Sequence, residues 1–172
     1  MKRTIRFLVK GFCIIIVVMV MFLVGVADQA DAASLMIPVA EFTPDGGIGA
    51  SPGSYYKLFY GGYLSGTDNY PCLVAPVRIP GNATKINKVI VYLIDDNTGA
   101  GDPWFQFDGI NIATGDADNY TAGEVTTGTS TIQAIELPLS HKTLVKGQVY
   151  QLGTCLYGGQ YLYGAKVIYT VP

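Results

Sequence analysis

Charged side chains are scarce in this sequence, and basic residues do not cluster beyond its N-terminus. Lys, Arg, Asp and Glu together make up 14% of the 172 residues. From Ala33 onward, seven Lys or Arg stand against eleven Asp or Glu, which gives a net charge near −4. Proteins that bind nucleic acid or anionic membrane surfaces present basic patches. We therefore expect no nucleic-acid partner and no electrostatic binding to membranes.

The sequence also has little that catalysis requires. Its one histidine, His141, lies directly beside Ser140, whereas a catalytic triad assembles serine, histidine and a carboxylate that approach one another from different directions. A pair of glycosidase carboxylates would have to come from distant segments, because neighbouring strand residues face opposite sides of a sheet. We predict that the protein is not an enzyme.

Sustained helical periodicity is absent after the N-terminal segment. The chain contains 21 glycines and 12 tyrosines, and strand-like segments recur every 8 to 12 residues or so with turn residues between them. Few connections are long enough for a parallel crossover. The sequence therefore predicts an all-β fold: an antiparallel two-sheet β-sandwich of jelly-roll type with eight or nine strands, a barrel being the alternative.

The individual strands are predicted from alternating apolar residues. We place them at 37–43, 55–60, 72–79, 86–94, 104–108, 111–114, 131–137, 148–157 and 161–171. Asp108-Gly109 is interpreted as a turn, and 116–130 is the longest weakly patterned segment. The pattern predicts a core made of Leu73, Val77, Val89, Val91, Leu93, Phe105, Phe107, Ile135, Leu152, Leu156, Val167 and Tyr169.

Residues 1–32 are typical of an export signal. Four basic residues precede an uncharged run at 11–27, and Ala30-Asp31-Ala32 supplies small residues at the −3 and −1 positions of a cleavage site. The run is shorter than the ~20 residues of a spanning helix. An uncleaved anchor and a pilin-type leader, in which Ile16 would replace the expected Glu, are the alternatives. We predict a secreted or cell-surface protein with one domain at 33–172, in contact with a membrane only through an uncleaved signal.

Two cysteines, Cys72 and Cys155, remain after the predicted cleavage. Exported chains meet an oxidising compartment, where paired cysteines form disulfides. A bridge between these two would close a loop of some 80 residues, for which the chain-entropy model gives a stabilisation of about 4 kcal/mol. We predict the Cys72–Cys155 disulfide, with two buried thiols as the alternative.

Two acidic loops offer hard oxygen ligands of the kind that calcium prefers. One loop contains Asp95, Asp96 and Asp102, and the other contains Asp116 and Asp118. Neither loop matches the full EF-hand pattern, and Asp, Asn and Gly are also ordinary turn residues. Calcium is therefore the one candidate cofactor, with plain turn chemistry as the alternative.

Aromatic residues provide a second kind of candidate site. A planar aromatic side chain can stack on the apolar face of a sugar ring, although cross-strand tyrosines are also common structural pairs in sheets. The candidate platform residues are Trp104, Tyr56, Tyr63, Tyr161 and Tyr163. Asn82 and Asn119 fit the N-glycosylation triplet, which indicates exposed turns at both places.

Several motifs resemble a group of small secreted bacterial proteins. The segment 73–86 is similar to that group's "APV-x-LP-x-GA" segment. The strand through Val91-Tyr92 is similar to the tyrosine-rich strand that follows it in the group, and the segment 162–170 is similar to the group's "YGV-x-I-x-YT" end. The group has no assigned activity. The resemblance, which covers most of residues 70–172, implies a β-sandwich and a location outside the cell.

Together these features predict a secreted, non-catalytic β-sandwich that binds carbohydrate or another extracellular partner. The alternative is a structural subunit that self-associates into a surface filament or layer. Its motivation is the apolar segment 34–43, which could add to the sheet edge of a neighbouring subunit.

Overall fold

The computed structural model describes residues 31–44, 56–58, 63–65, 72–96, 101–125 and 128–172. The chain divides into one unit of residues 1–31 with Pro172 and a second unit of residues 32–171, and the fold below is that of the second unit. The predicted export signal, apart from its last two residues, lies outside the described ranges. Within those ranges, no helix is long and apolar enough to cross a membrane.

The described part of the chain consists almost entirely of β-strands. One short 3-10 helix, Val39–Glu41, follows the first strand. The strands are β1 (Asp31–Pro38), β2 (Thr43–Pro44), β3 (Tyr56–Leu58), β4 (Tyr63–Ser65), β5 (Cys72–Val77), β6 (Lys85–Asp95), β7 (Trp104–Asn111), β8 (Ala117–Glu124), β9 (Gln133–Glu136), β10 (Gln148–Cys155) and β11 (Gln160–Val171).

The strands form two sheets. Sheet A has the order β3-β4-β11-β6-β9, with β1 also paired to β11, and sheet B has the order β2-β5-β10-β7-β8. Every pairing with a described register is antiparallel. The eight strands of four or more residues give β1-β11-β6-β9 facing β5-β10-β7-β8, which is the jelly-roll order. The predicted antiparallel sandwich is confirmed; the three strands beyond eight (β2, β3 and β4) have two or three residues each.

The core lies between the inner faces of the two sheets. On β6, Val89, Val91 and Leu93 are fully buried and alternate with partly exposed residues, as a strand with one covered face requires. Of the twelve predicted core residues, all but Ile135 are buried, and Ile135 is partly buried against the same cluster. Each fully buried large apolar side chain contributes about 1.5–3 kcal/mol, so this layer provides the main stabilisation of the fold.

Two predictions about β7 and β8 were wrong. Asp108-Gly109 is not a turn: β7 runs through it to Asn111, and Ala113 lies in the turn that follows. Side chains of β10 pack over Gly109: an added Cβ would lie 2.2 Å from Gln148 Oε1 and 3.0 Å from the Tyr150 ring. The weakly patterned segment contains β8, whose polar residues suit an edge strand with one exposed face.

The N-terminal segment that motivated the filament hypothesis pairs with its own chain. β1 pairs with β11, and Ile37 and Phe42 are buried in the core with 1% and 0% exposure. Adding this segment to another subunit would therefore require its removal from sheet A. β1 begins at Asp31, so cleavage after Ala32 would leave 33–38 of this strand.

Close approach of β1 to β11 depends on a glycine. Gly164 has a φ of +142°, and a Cβ added there would lie 2.8 Å from the backbone oxygen of Ile37. We predict that Gly164→Ala lowers the free energy of unfolding by at least about 2 kcal/mol, because the backbone of β1 must move and the residue is strained.

Urea denaturation measures this difference. The control is Gly81→Ala, where an added Cβ meets nothing within 4 Å and the change should stay within about 0.5 kcal/mol. Equal stability of the Gly164→Ala and wild-type proteins would show that β1 does not pack this closely.

Candidate functional site

The outer face of sheet B carries a groove, the sheet B groove, with a volume of about 550 Å³. The register of β5, β10 and β7 aligns its outward residues in rows across the strands. One row contains the two cysteines and Trp104, the next Val74, Gly153 and Gln106, and the third Gln151 and Asp108. The groove is lined by Cys72, Leu73, Val74, Trp104, Gln106, Asp108, Gln151, Gly153, Thr154 and Cys155.

The middle of the groove has no side chain to fill it. Gly153 lies at the centre of β10, between Val74 on β5 and Gln106 on β7. The nearest atoms to a Cβ added at Gly153 are the backbone oxygens of Gln106 and Leu73, both at 3.8 Å. A small side chain would therefore fit, and a larger one would project into the groove. The concave shape of this face follows from the glycine.

One end of the groove is formed by an aromatic ring and a disulfide. Cys72 and Cys155 are directly opposed on β5 and β10, and their sulfur atoms are bonded, which confirms the predicted disulfide. Trp104 pairs with Cys155 on the other side and is half-buried. The tryptophan therefore lies on the outer face of the sheet, with part of its surface accessible in the groove. Among the residues whose side chains are described, it is the one predicted platform residue that lines this groove.

A buried carboxylate lies at the other end of the groove. Asp108 is 4% exposed. Its Oδ2 accepts a hydrogen bond from Gln106 Nε2 at 2.5 Å, and its Oδ1 accepts one from Asn119 Nδ2 at 3.0 Å. Gln151 is its neighbour on β10. Amides and a carboxylate are the groups that bind the hydroxyls of a polar ligand. Sequence reasoning missed them because Asp108 was placed in a turn.

The loop that leads to Trp104 is anchored from inside the protein. Gln160 is fully buried; its Nε2 donates to Asp95 Oδ1 at 3.2 Å and to the Gly101 backbone oxygen at 2.8 Å. Its Oε1 accepts from the Tyr157 backbone N–H at 2.7 Å. These bonds hold the described ends of the β6–β7 loop to the turn between β10 and β11. The segment that precedes Trp104 is therefore held in place by these hydrogen bonds.

The acids predicted to bind calcium do not form a common cluster. In the described residues there is no group of three or more His, Cys, Asp or Glu side chains that could hold a metal ion. Asp95 is buried against Gln160, while Asp96 and Asp116 are exposed. Asp118 is 3.3 Å from His141 Nε2. Asp102 is partly buried in the β6–β7 loop, and 97–100 lie outside the described residues.

Two of the predicted platform tyrosines, Tyr161 and Tyr163, lie away from Trp104. Tyr161 and Tyr163 alternate with buried Leu162 on β11, so they lie on the outer face of sheet A, on the opposite side of the sandwich. Tyr56 and Tyr63 belong to β3 and β4, which are also part of sheet A; their side chains are outside the described set. Sequence alone could not separate the two outer faces.

The two glycosylation triplets lie in different environments. Asn82 is exposed in a turn, as predicted. Asn119 was also expected in a turn, but it lies in β8 because Asp108 on β7 is its cross-strand partner. Its side-chain Nδ2 donates a hydrogen bond to Asp108 Oδ1.

Ser140, His141 and Asp118 are in contact. This was not expected, because Ser140 and His141 are neighbours in the sequence. Ser140 Oγ is 3.1 Å from His141 Nδ1, and His141 Nε2 is 3.3 Å from Asp118 Oδ2. The Ser140 hydroxyl is also 2.9 Å from the Tyr120 backbone oxygen and 3.1 Å from that of Asn119. The cluster thus joins the segment around Ser140 to β8.

Comparison with known proteins identifies no family. No family model matches the sequence, and no curated relative is found. Among solved structures, the chain is similar to the C-terminal CBM6 of LamC from Zobellia galactanivorans at 13% identity, covering 78% of this chain and 98% of that one, with a TM-score of 0.49.

Two further solved structures show comparable similarity. The carbohydrate-binding module CBM6cm-2 from Cellvibrio mixtus lichenase 5A, in complex with cellotriose, is 15% identical over 80% of this chain and 98% of that one, with a TM-score of 0.46. CBM29_1 from Piromyces equi is 10% identical over 83% and 92%, also with a TM-score of 0.46.

Beneath the Ser140 cluster, Tyr120 is fully buried at one end of the core. Its hydroxyl donates to the Thr143 backbone oxygen at 2.9 Å, and its ring contacts Phe107 and Tyr150 edge-on. Burial raises the pKa of Tyr120 well above its usual range, and the nearby Tyr150 and the charge of Asp118 raise it further. The folded protein therefore retains this proton at a pH where an unfolded tyrosine loses it.

We predict that stability falls with rising pH above about pH 10, the pKa of an unfolded tyrosine. Between that pH and the raised pKa in the folded state, only the unfolded chain releases the proton, so one such group lowers the free energy of unfolding by about 1.4 kcal/mol per pH unit. The stabilising contribution is complete below pH ~10.

Urea denaturation across this range measures the slope. The comparison is Tyr120→Phe, which should be less stable at neutral pH by about 1–3 kcal/mol because it leaves the Thr143 oxygen unpaired. Above pH ~10, the free energy of unfolding of this variant should fall less steeply with pH than that of the wild type. An unchanged slope in Tyr120→Phe would contradict the assignment.

Proposed function

We propose that the protein is a secreted, non-catalytic carbohydrate-binding protein that holds a glycan in the sheet B groove. The main support for this proposal is a row of outward-facing residues along β7, which consists of Trp104, Gln106 and Asp108. At about 3.3–3.4 Å per strand residue, this row is about 13 Å long. An aromatic ring at one end and polar groups at the other can stack on one sugar and bind the hydroxyls of the next.

The size and chemistry of the groove support this proposal. A volume of about 550 Å³ lies within the usual range for small-ligand sites, which combine apolar walls with a few polar groups. Here Val74 and the disulfide supply apolar surface beside Trp104, while Gln106, Gln151 and Asp108 supply the polar groups. The solved structures named above include carbohydrate-binding modules, one of them in complex with cellotriose.

A location outside the cell agrees with the disulfide, since such bonds persist in oxidising compartments. We retain the export signal at residues 1–32 and the single domain at 33–172 as part of the proposal. Secretion would bring the groove to extracellular glycans. The similarity to small secreted bacterial proteins, carried by residues 70–172, points to the same location.

The non-catalytic part of the proposal rests on the chemistry of the two side-chain clusters. Asp108 accepts hydrogen bonds from two amides and is the one carboxylate among the described residues that line the groove, whereas glycoside hydrolysis uses two carboxyl groups. At the Ser140 cluster, the serine oxygen contacts two carbonyl oxygens and an imidazole nitrogen. A hydrolytic serine also needs donors that stabilise an oxyanion, and these contacts supply acceptors.

Calcium remains a hypothesis for the acidic loop that contains Asp96 and Asp102. Part of that loop lies outside the described residues. Thermal denaturation with and without calcium, followed by chelation, tests it; a rise in melting temperature that chelation reverses would establish the ion.

We predict that Trp104→Ala weakens glycan binding by about 30-fold or more, since loss of a central aromatic contact costs about 2 kcal/mol. A polysaccharide and glycan array identifies the ligand, and isothermal titration calorimetry measures the affinity. The matched control is Tyr92→Ala on the outer face of sheet A, which should bind as the wild type does. Equal losses in both variants, or none in Trp104→Ala, would refute the groove as the site.

We also predict that Gly153→Val abolishes binding while the fold remains stable. The added Cβ meets backbone atoms only at 3.8 Å, and valine is a strong strand former, but its methyl groups occupy the centre of the groove. Titration calorimetry and urea denaturation on the same sample separate the two effects. Gly153→Ala, which fills less of the space, should bind with intermediate affinity; full binding by Gly153→Val would place the ligand elsewhere.

A further inference from the structure

The buried carboxylate of Asp108 orients the amide of Gln106, which lines the sheet B groove, and the amide of Asn119 on the neighbouring strand β8. Asp108 accepts hydrogen bonds from Gln106 Nε2 and Asn119 Nδ2, one on each oxygen. An ionised carboxylate accepts hydrogen bonds and donates none. Each amide must therefore direct its NH₂ group to Asp108. The carbonyl oxygens of Gln106 and Asn119 are consequently turned away from Asp108.

These carbonyl oxygens remain available to a ligand. Within the part of the chain that the structure describes, neither Gln106 Oε1 nor Asn119 Oδ1 accepts a hydrogen bond from another side chain or backbone group. Gln106 lies between Trp104 and Asp108 on β7 and lines the groove. A sugar stacked on Trp104 would therefore meet an acceptor. Hydroxyl groups are the sugar substituents that donate to it.

The charge of the groove also favours an uncharged ligand. Among the described residues, the ten that line it include one carboxylate, Asp108, and no Lys, Arg or His. On β8, Glu124 is the cross-strand partner of Trp104 and is exposed, which adds a second negative charge to this face. A ligand carboxylate would meet acceptors and like charges without a cation to pair with. Burying an unpaired charge is strongly unfavourable.

We propose that Asp108 is a positioning residue that fixes the carbonyl oxygen of Gln106 toward the ligand, so that the groove selects uncharged glycans over glycans of uronic acids. The inference rests on the proposed function, because it assigns a substrate class to the same groove. It also gives Asp108 a role apart from stability: replacing its carboxylate with an amide changes which hydrogen-bonding groups the groove presents.

The test uses pairs of oligosaccharides that differ only at C6. Cello-, manno- and galacto-oligosaccharides of equal length are arrayed with their C6-oxidised uronic acid forms, and affinities are measured for wild type, Asp108→Asn and Asp116→Asn. The last variant makes the same change of charge on an exposed residue outside the groove. Wild type and Asp116→Asn should bind a neutral member at least tenfold more tightly than its acidic partner.

Asp108→Asn should lose at least tenfold in affinity for the neutral member and show a smaller ratio between neutral and acidic affinities. Asn offers one acceptor and one donor group, so residue 108 no longer restricts Gln106 to donating, and the Gln106 amide can reverse and present NH₂ to the ligand. Asp108→Glu, which keeps two acceptor oxygens, should retain the wild-type ratio. A wild-type protein that binds acidic members as tightly as neutral ones would overturn the inference while leaving the groove as a glycan site.

A second variant covers the case in which Asp108→Asn does not fold. Gln106→Met removes the acceptor from a half-buried surface residue and keeps its volume, so it should reduce neutral binding at least tenfold with Asp108 in place. Unchanged affinity in Gln106→Met would overturn the inference. If wild type binds no member of the set and Trp104→Ala behaves identically, the proposed function fails, and this inference fails with it.

Discussion

The pairing of β10 with β5 on one side and β7 on the other is the constraint on which the candidate site depends. Its register places Cys155 between Cys72 and Trp104, and Gly153 between Val74 and Gln106. A shift by one residue would turn each of these side chains to the other face of the sheet. The disulfide joins two directly opposed residues and so excludes such a shift between β5 and β10. The bond that stabilises the fold therefore also fixes the geometry of the groove.

The site also contains a group that is unfavourable for stability alone. A carboxylate removed from water loses solvation, and amide hydrogen bonds compensate for that loss only in part. Asp108 is 4% exposed, and none of the ion pairs among the described residues involves it. An apolar residue in its place would leave Gln106 without a partner that orients its amide. The arrangement is understandable if the orientation of those amides serves recognition.

The sequence was informative about the fold and much less so about the site, for a physical reason. Burial alternates with a period of two in β6 and β10, so residues such as Val91 and Leu152 were correctly assigned to the core. The same alternation shows that Trp104 faces away from Phe105. It does not show which sheet a strand joins, and Tyr161 was therefore grouped with Trp104 although the two residues lie on opposite faces of the sandwich.

The errors in β7 and β8 have a related origin. Glycine after aspartate is a strong turn signal when only local propensity is considered. In the folded protein, however, the Gln148 side chain and the Tyr150 ring from β10 occupy the space that a side chain at Gly109 would need. The polar residues of β8, such as Asn119, reflect bonds to β7 that exist only once the strands pair. Such tertiary causes leave no local pattern, which is why the carboxylate and amide cluster was missed.

The position of the groove on strands has a consequence for how it can bind. Side chains on a paired strand lose little further freedom when a ligand arrives, whereas a site on loops must be ordered during binding. Here the outward residues of β7 are held by pairing on both sides, with β10 and β8. The loop before Trp104 is bonded at its described ends to Gln160. Such a preformed surface suits an extended, repetitive ligand, because specificity then depends on fixed acceptors and one aromatic platform and does not require closure of the protein around the ligand.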